Sequence, residues 1–104
     1  MTYKELRIEL HKNYYCEATL NTIANNIASI LGHVDDFTVN SAASQIELHL
    51  NTGSPSELDF NYAIVQAISD YASSVGLECD TWINMYNILI SHVEGNKSTV
   101  IIML

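Results

Sequence analysis

The sequence predicts an α+β domain in the order β-α-β-β-α-β, with an additional C-terminal strand. Three observations carry this reading. Leu6, Ile8 and Leu10, and again Ile46, Leu48 and Leu50, alternate with polar residues at the strand period of two. Two longer stretches repeat their apolar residues at helical spacing and stop at Gly32 and Gly76. Glu94-Gly95-Asn96-Lys97 separates two apolar runs in the manner of a hairpin turn.

The elements follow in order. Residues 6–11 read as the first strand. A helix competes there: Thr2 and Glu5 fit a capping box, and Tyr3, Leu6, Leu10 and Tyr14 share a helical face. The strand is preferred because Ile8 falls on the polar side of that helix. If residues 3–14 are helical instead, the fold remains α+β, with three helices beside a smaller sheet. Residues 17–31 place Leu20, Ile23, Ile27, Ile30 and Leu31 on one face, and Asn21, Asn25, Asn26 and Ser29 on the other. That polar face is amide rather than charge, which suits a contact surface. Asp35–Asn40 forms a short strand with Phe37 and Val39 inward, and Gln45–Leu50 forms the next. Ser54 or Ser56 caps a second helix, with Glu57 and Asp59 in its first turn. Leu58, Tyr62, Val65, Ile68, Ala72 and Val75 make its apolar stripe. Glu78–Val93 is apolar on both faces, as a central or doubly covered strand would be. Thr99–Leu104 is the final strand.

This order is that of the ferredoxin-like, or split βαβ, plan. Both helices would lie on one face of a mainly antiparallel sheet, with the first and third strands as central neighbours. Arg7, Glu9, His11, Glu47 and His49 would then point to the open face. Val100–Leu104 is apolar on both sides, a hazard for an exposed strand unless something covers it. A second copy or an obligate partner is a simple cover, so a homodimer is expected.

The 104 residues suit one domain, 1–104, and 48% hydrophobic residues suffice for a core. Twelve acids against four bases give a net charge of −8. A generic phosphate-binding surface needs basic clusters, so direct nucleic-acid binding is not expected. The start carries Lys4, Glu5, Arg7 and Glu9 where a signal peptide needs an apolar region. The longest wholly apolar run, Val100–Leu104, is too short to span a bilayer. A cytoplasmic protein with no membrane partner and two free thiols, Cys16 and Cys79, is the expectation.

Catalytic signatures are absent. There is no GxSxG, P-loop or GxGxxG, and no CxxC or Cys/His zinc spacing, so neither cofactor nor metal is expected. His11, His49, Glu9 and Glu47 would converge if strands one and three paired, which leaves a metal or acid–base site as a minor reading. His33 precedes Asp35 and Asp36 and follows a helix end, where a protonated imidazole is favoured. Cys79 lies between Glu78 and Asp80, whose charges oppose a thiolate.

Six tyrosines and a tryptophan are many amphipathic aromatics for this length. Tyr14, Tyr15, Trp82 and Tyr86 are the candidate anchors, with Glu47, His49 and Asp59 as polar contacts. Scattered acids can imitate a phosphate array on a basic partner. In size, acidity and lack of a site motif the chain is similar to small inhibitors from phages and mobile elements, including anti-CRISPR proteins. That similarity implies a non-enzymatic module occluding a larger basic protein of the nucleic-acid-binding kind, such as a nuclease or defence complex. The alternative is an oligomeric regulatory domain with a small-ligand pocket between subunits.

Overall fold

The computed structural model describes residues 2–53, 57–78 and 86–104, and for Tyr3 and residues 57–59 the backbone alone. The elements are α1 (Tyr3–Asn13), α2 (Glu17–Leu31), β1 (Val34–Asn40), β2 (Gln45–Leu50), α3 (Glu57–Ser74), β3 (Asn87–Glu94) and β4 (Lys97–Met103). The four strands form one antiparallel sheet in the order β1-β2-β4-β3. The α+β class therefore holds, and the ferredoxin-like order is not observed.

The difference begins at residues 6–11, which are helical. Thr2 Oγ1 accepts the Glu5 N–H at 3.2 Å, and its hydroxyl bonds the Glu5 carboxylate at 3.0 Å. This cap starts the helix, and Leu6 and Leu10, one turn apart, become fully buried. Ile8 does fall on the polar side, as the spacing requires, and is 59% exposed. Burial of two leucines and a satisfied N-terminus outweighs that one exposed side chain. Arg7, Glu9 and His11 consequently belong to a helix and not to the open face of the sheet.

α2 follows its sequence pattern as far as Ile27: Leu20, Ile23, Ala24 and Ile27 are buried, whereas Ile30, expected on the same face, is 37% exposed; Gly32 caps the helix at φ +73°. On α3 the buried stripe differs from the expected one. It runs through Phe60, Ala63, Ile64, Ala67, Ile68 and Ala72, while Tyr62 is 63% exposed. The alanines allow close approach to α2, the helix α3 packs against. Counting only the larger side chains rotates the apparent stripe. The expected caps Ser54 and Ser56 lie outside the described residues.

Ile46, Leu48 and Leu50 of β2 and Val100 and Ile102 of β4 join the helices in a single core. β4 is a central strand, hydrogen-bonded to β2 on one side and β3 on the other. The chain itself therefore covers both edges of its most apolar strand. β3 begins at Asn87 and is an edge strand, contrary to the central position its composition suggested. The Gly95–Asn96 hairpin places β4 between β3 and β2. Leu89, Ile90 and Val93 of β3 are accordingly exposed. A register irregularity between Ile90 and His92 bends this edge.

Candidate functional site

Strand alternation sends every second residue away from the helices. The register aligns these residues across the sheet. Thr38, Glu47, Ile101 and Leu89 form one row, and Asn40, Gln45, Met103 and Asn87 the next. Asp36, His49, Thr99 and His92 form a third. Among the described residues no element covers this face. Ile101, Met103 and the exposed Leu89 supply an apolar strip on β4 and β3. Thr38, Asn40, Gln45, Glu47 and Ile101 line a shallow depression of about 200 Å³.

The polar side of the face is organised by His49. Its Nδ1 meets the Asp36 carboxylate, and its Nε2 lies 2.9 Å from Glu47 Oε2. Thr38 Oγ1 donates to the same Glu47 oxygen at 3.4 Å. Two carboxylates on opposite nitrogens favour the imidazolium, which has two N–H donors. The hydrogen bond to Glu47 pushes the His49 pKa up, Asp36 adds to this, and partial burial opposes it. In the protonated form both nitrogens donate, one to each carboxylate, and the ring ties β1 to β2.

Of the expected polar contacts, Glu47 and His49 are brought together on this face. His11 is not among them. Its Nε2 lies 2.9 Å from the Leu104 main-chain oxygen and its Nδ1 3.3 Å from Ser44 Oγ. Glu9 bonds Asn13 along α1. The His11–His49–Glu9–Glu47 constellation therefore does not form. Among the described residues no group of three His, Cys, Asp or Glu side chains is arranged to hold a metal ion. His33 gains neither neighbouring carboxylate as its hydrogen-bond partner: Asp36 takes His49, and Asp35 takes Lys97 at 2.7 Å and Asn51 at 2.9 Å. The Lys97 bond, followed by that of Asn51, holds the Asp35 carboxyl below its ordinary range.

The aromatic candidates have different surroundings. Tyr14 and Tyr15 are half-buried against the core at the α1–α2 corner. Tyr14 stands edge-on to Tyr71 at 6.4 Å, and Tyr15 edge-on to His11 at 4.9 Å. Tyr86 is also half-buried and donates its hydroxyl hydrogen bond to Asn61. Burial raises its pKa. Trp82 and Cys79 lie outside the described residues, as does the Asp59 side chain. Cys16 is an exposed free thiol at the α2 N-cap, and its bond to Thr19, 3.4 Å away, lowers its pKa. Sequence reasoning missed Asp36, Thr38, Leu89, Ile101 and Met103 as neighbours. The alternation in β4 separates Ile101 and Met103 from Val100 and Ile102, but only the strand order puts them beside Glu47.

Fold and face together define a small α+β domain with one sheet face under helices and the other uncovered among the described residues. Compared with known proteins, the chain matches no family model, no curated protein and no solved structure. Among the described residues no helix is long and apolar enough to cross a membrane.

Proposed function

We propose that this chain is a non-enzymatic protein-interaction module that occludes a larger partner through its uncovered sheet face. One observation carries the reading: Leu89, Ile101 and Met103 form an apolar strip beside the carboxylates of Asp36 and Glu47 on a face no described element covers. Apolar centres with polar rims are the usual anatomy of protein interfaces. The net charge of −8 favours a basic partner, and steering toward such a surface speeds encounter. A nucleic-acid-binding partner, such as a nuclease, has the complementary charge.

The test is site-specific photo-crosslinking in host lysate. A crosslinker at position 89 should trap a discrete protein, and one at position 62, on the exposed surface of α3, should not. Ile101→Lys should abolish the product, and Glu47→Lys with Asp36→Lys should weaken it. Equal trapping from both positions, or a product indifferent to Ile101→Lys, defeats the proposal.

A second reading, a ligand-binding oligomer, draws on the exposed β3 edge and the depression beside Glu47. Pairing of two β3 edges would extend the sheet and cover Leu89, Ile90 and Val93. Light scattering behind size exclusion, at two protein and two salt concentrations, separates the readings. A persistent dimer whose melting temperature rises with a small metabolite favours the second.

A further inference from the structure

The sequence holds four Lys and Arg residues, and three of them, Lys4, Arg7 and Lys12, lie on α1. The fourth, Lys97, is engaged with Asp35 at 2.7 Å. Helical spacing places Lys4, Arg7, Ile8, His11 and Lys12 on one side of α1, since they stand three and four positions apart. Ile8 sits at the centre of this group and is 59% exposed. Arg7, Ile8, His11 and Lys12 line an open, shallow depression of about 470 Å³. The helix's acids border this group, Glu5 three positions from Ile8 and Glu9 three from Lys12, and each is hydrogen-bonded locally, Glu5 with Thr2 and Glu9 with Asn13. Among the described residues neither Lys4 nor Lys12 has an ion-pair partner.

The geometry points to this face of α1 as a second docking surface, one that takes an acidic segment of a partner protein with an apolar side chain seated on Ile8. It is distinct in place and in charge from the uncovered sheet face. Charge complementarity selects the occupant. Cations gathered on one helix of a chain with net charge −8 attract carboxylates locally. A nucleic-acid strand would meet the same cations, and the same repulsion from the remaining acids as a carboxylate segment does, but its phosphate backbone offers no apolar side chain for Ile8. An apolar residue flanked by carboxylates satisfies both the isoleucine and the lysines.

The test titrates the isotope-labelled full chain with a short synthetic peptide of Asp and Glu residues around two central leucines, read by amide NMR. Shifts confined to α1, with affinity falling on addition of salt, are expected. Ile8→Ser should weaken binding about tenfold by removing the apolar contact. Lys4→Glu with Lys12→Glu should abolish it. All three positions are exposed, so the fold should persist, and unchanged amide shifts in the sheet verify this. Tyr62→Ser, a loss of exposed aromatic surface elsewhere, should leave binding unchanged. Absence of α1 shifts at millimolar peptide overturns the proposal. So does binding that is indifferent to Ile8→Ser, or a preference for a single-stranded oligonucleotide or anionic phospholipid vesicles over the peptide. Salt-sensitive self-association lost in the Lys4 and Lys12 variant would assign the face to a second copy, and would equally overturn it.

Discussion

Arg7 donates to the main-chain oxygen of Leu104 from both Nε, at 3.2 Å, and Nη2, at 2.8 Å. The contact ties the first helix to the end of the last strand. His11 Nε2 reaches the same oxygen at 2.9 Å, and the Leu104 N–H bonds the Ser44 carbonyl at 2.9 Å. Ser44 in turn lies 3.3 Å from the other nitrogen of His11. One corner thus joins α1, the β1–β2 turn and β4.

Arg7→Met keeps much of the aliphatic stem and removes two donors. A charge-assisted bond contributes about 1.5–3 kcal/mol, and this one is partly exposed, so a loss of about 1 kcal/mol is expected. Melting temperature should fall by about 4–8 °C. Hydrogen exchange should accelerate in α1 more than in α2. Uniform acceleration across the chain would show that α1 is not held separately by this contact.

The two faces of α3 respond differently to truncation. Ile64 is fully buried, and Ile64→Ala should cost about 2–5 kcal/mol through lost contacts and a cavity. Tyr62 is 63% exposed, and Tyr62→Ala should stay within about 0.5 kcal/mol. Urea unfolding of both variants measures the difference. The reverse ranking would restore the stripe through Tyr62.

That stripe shows how far the residues speak for themselves. β2, α2 as far as Ile27 and the Gly95–Asn96 hairpin follow their local patterns, because each is specified by near neighbours. The face of α3 depends on Ala63 and Ala67, whose small side chains carry little apolar signal until a second helix packs on them. Residues 6–11 fit both periods, and the decision comes from Thr2 and from the contacts of Leu6 and Leu10. Glu47 and His49 are legible as outward residues of a strand. Their neighbours Asp36, Ile101 and Leu89 are set by strand order, which is a non-local property. The edge position of β3 is non-local in the same way.

Gly53 has a requirement of a different kind. A Cβ built there would run into the Gly95 carbonyl oxygen, so the loop after β2 and the β3–β4 turn approach backbone to backbone. Gly53→Ala should destabilise the domain by about 2 kcal/mol or more, because backbone must move. Gly32 at φ +73° has open space around it, and Gly32→Ala should cost only about 1 kcal/mol of backbone strain. Chemical denaturation of the pair separates steric from conformational cost. Equal effects would mean the approach at Gly53 relaxes freely.

His49 bridges β1 and β2 through Asp36 and Glu47, and its raised pKa fixes the sign of its pH dependence. A group that binds its proton more tightly when folded stabilises the fold below its unfolded value, ordinarily 6.5. That contribution is lost as pH rises through the higher folded value. The native domain should therefore lose melting temperature on passing from mildly acidic to mildly alkaline solution. His49→Gln should remove this decline, since an amide does not titrate there. The ring is more than one-third exposed, so the effect should be modest and should shrink with salt. Asp35 has the opposite sign: bonded to Lys97, it stabilises above its ordinary value of 3.8 and loses that contribution as pH falls through its lower folded value. Asp35→Asn should thus flatten only the acid limb. Melting curves for the native chain and both variants across pH test the two limbs independently. A His49→Gln curve that still declines through neutral pH would assign the effect to another group.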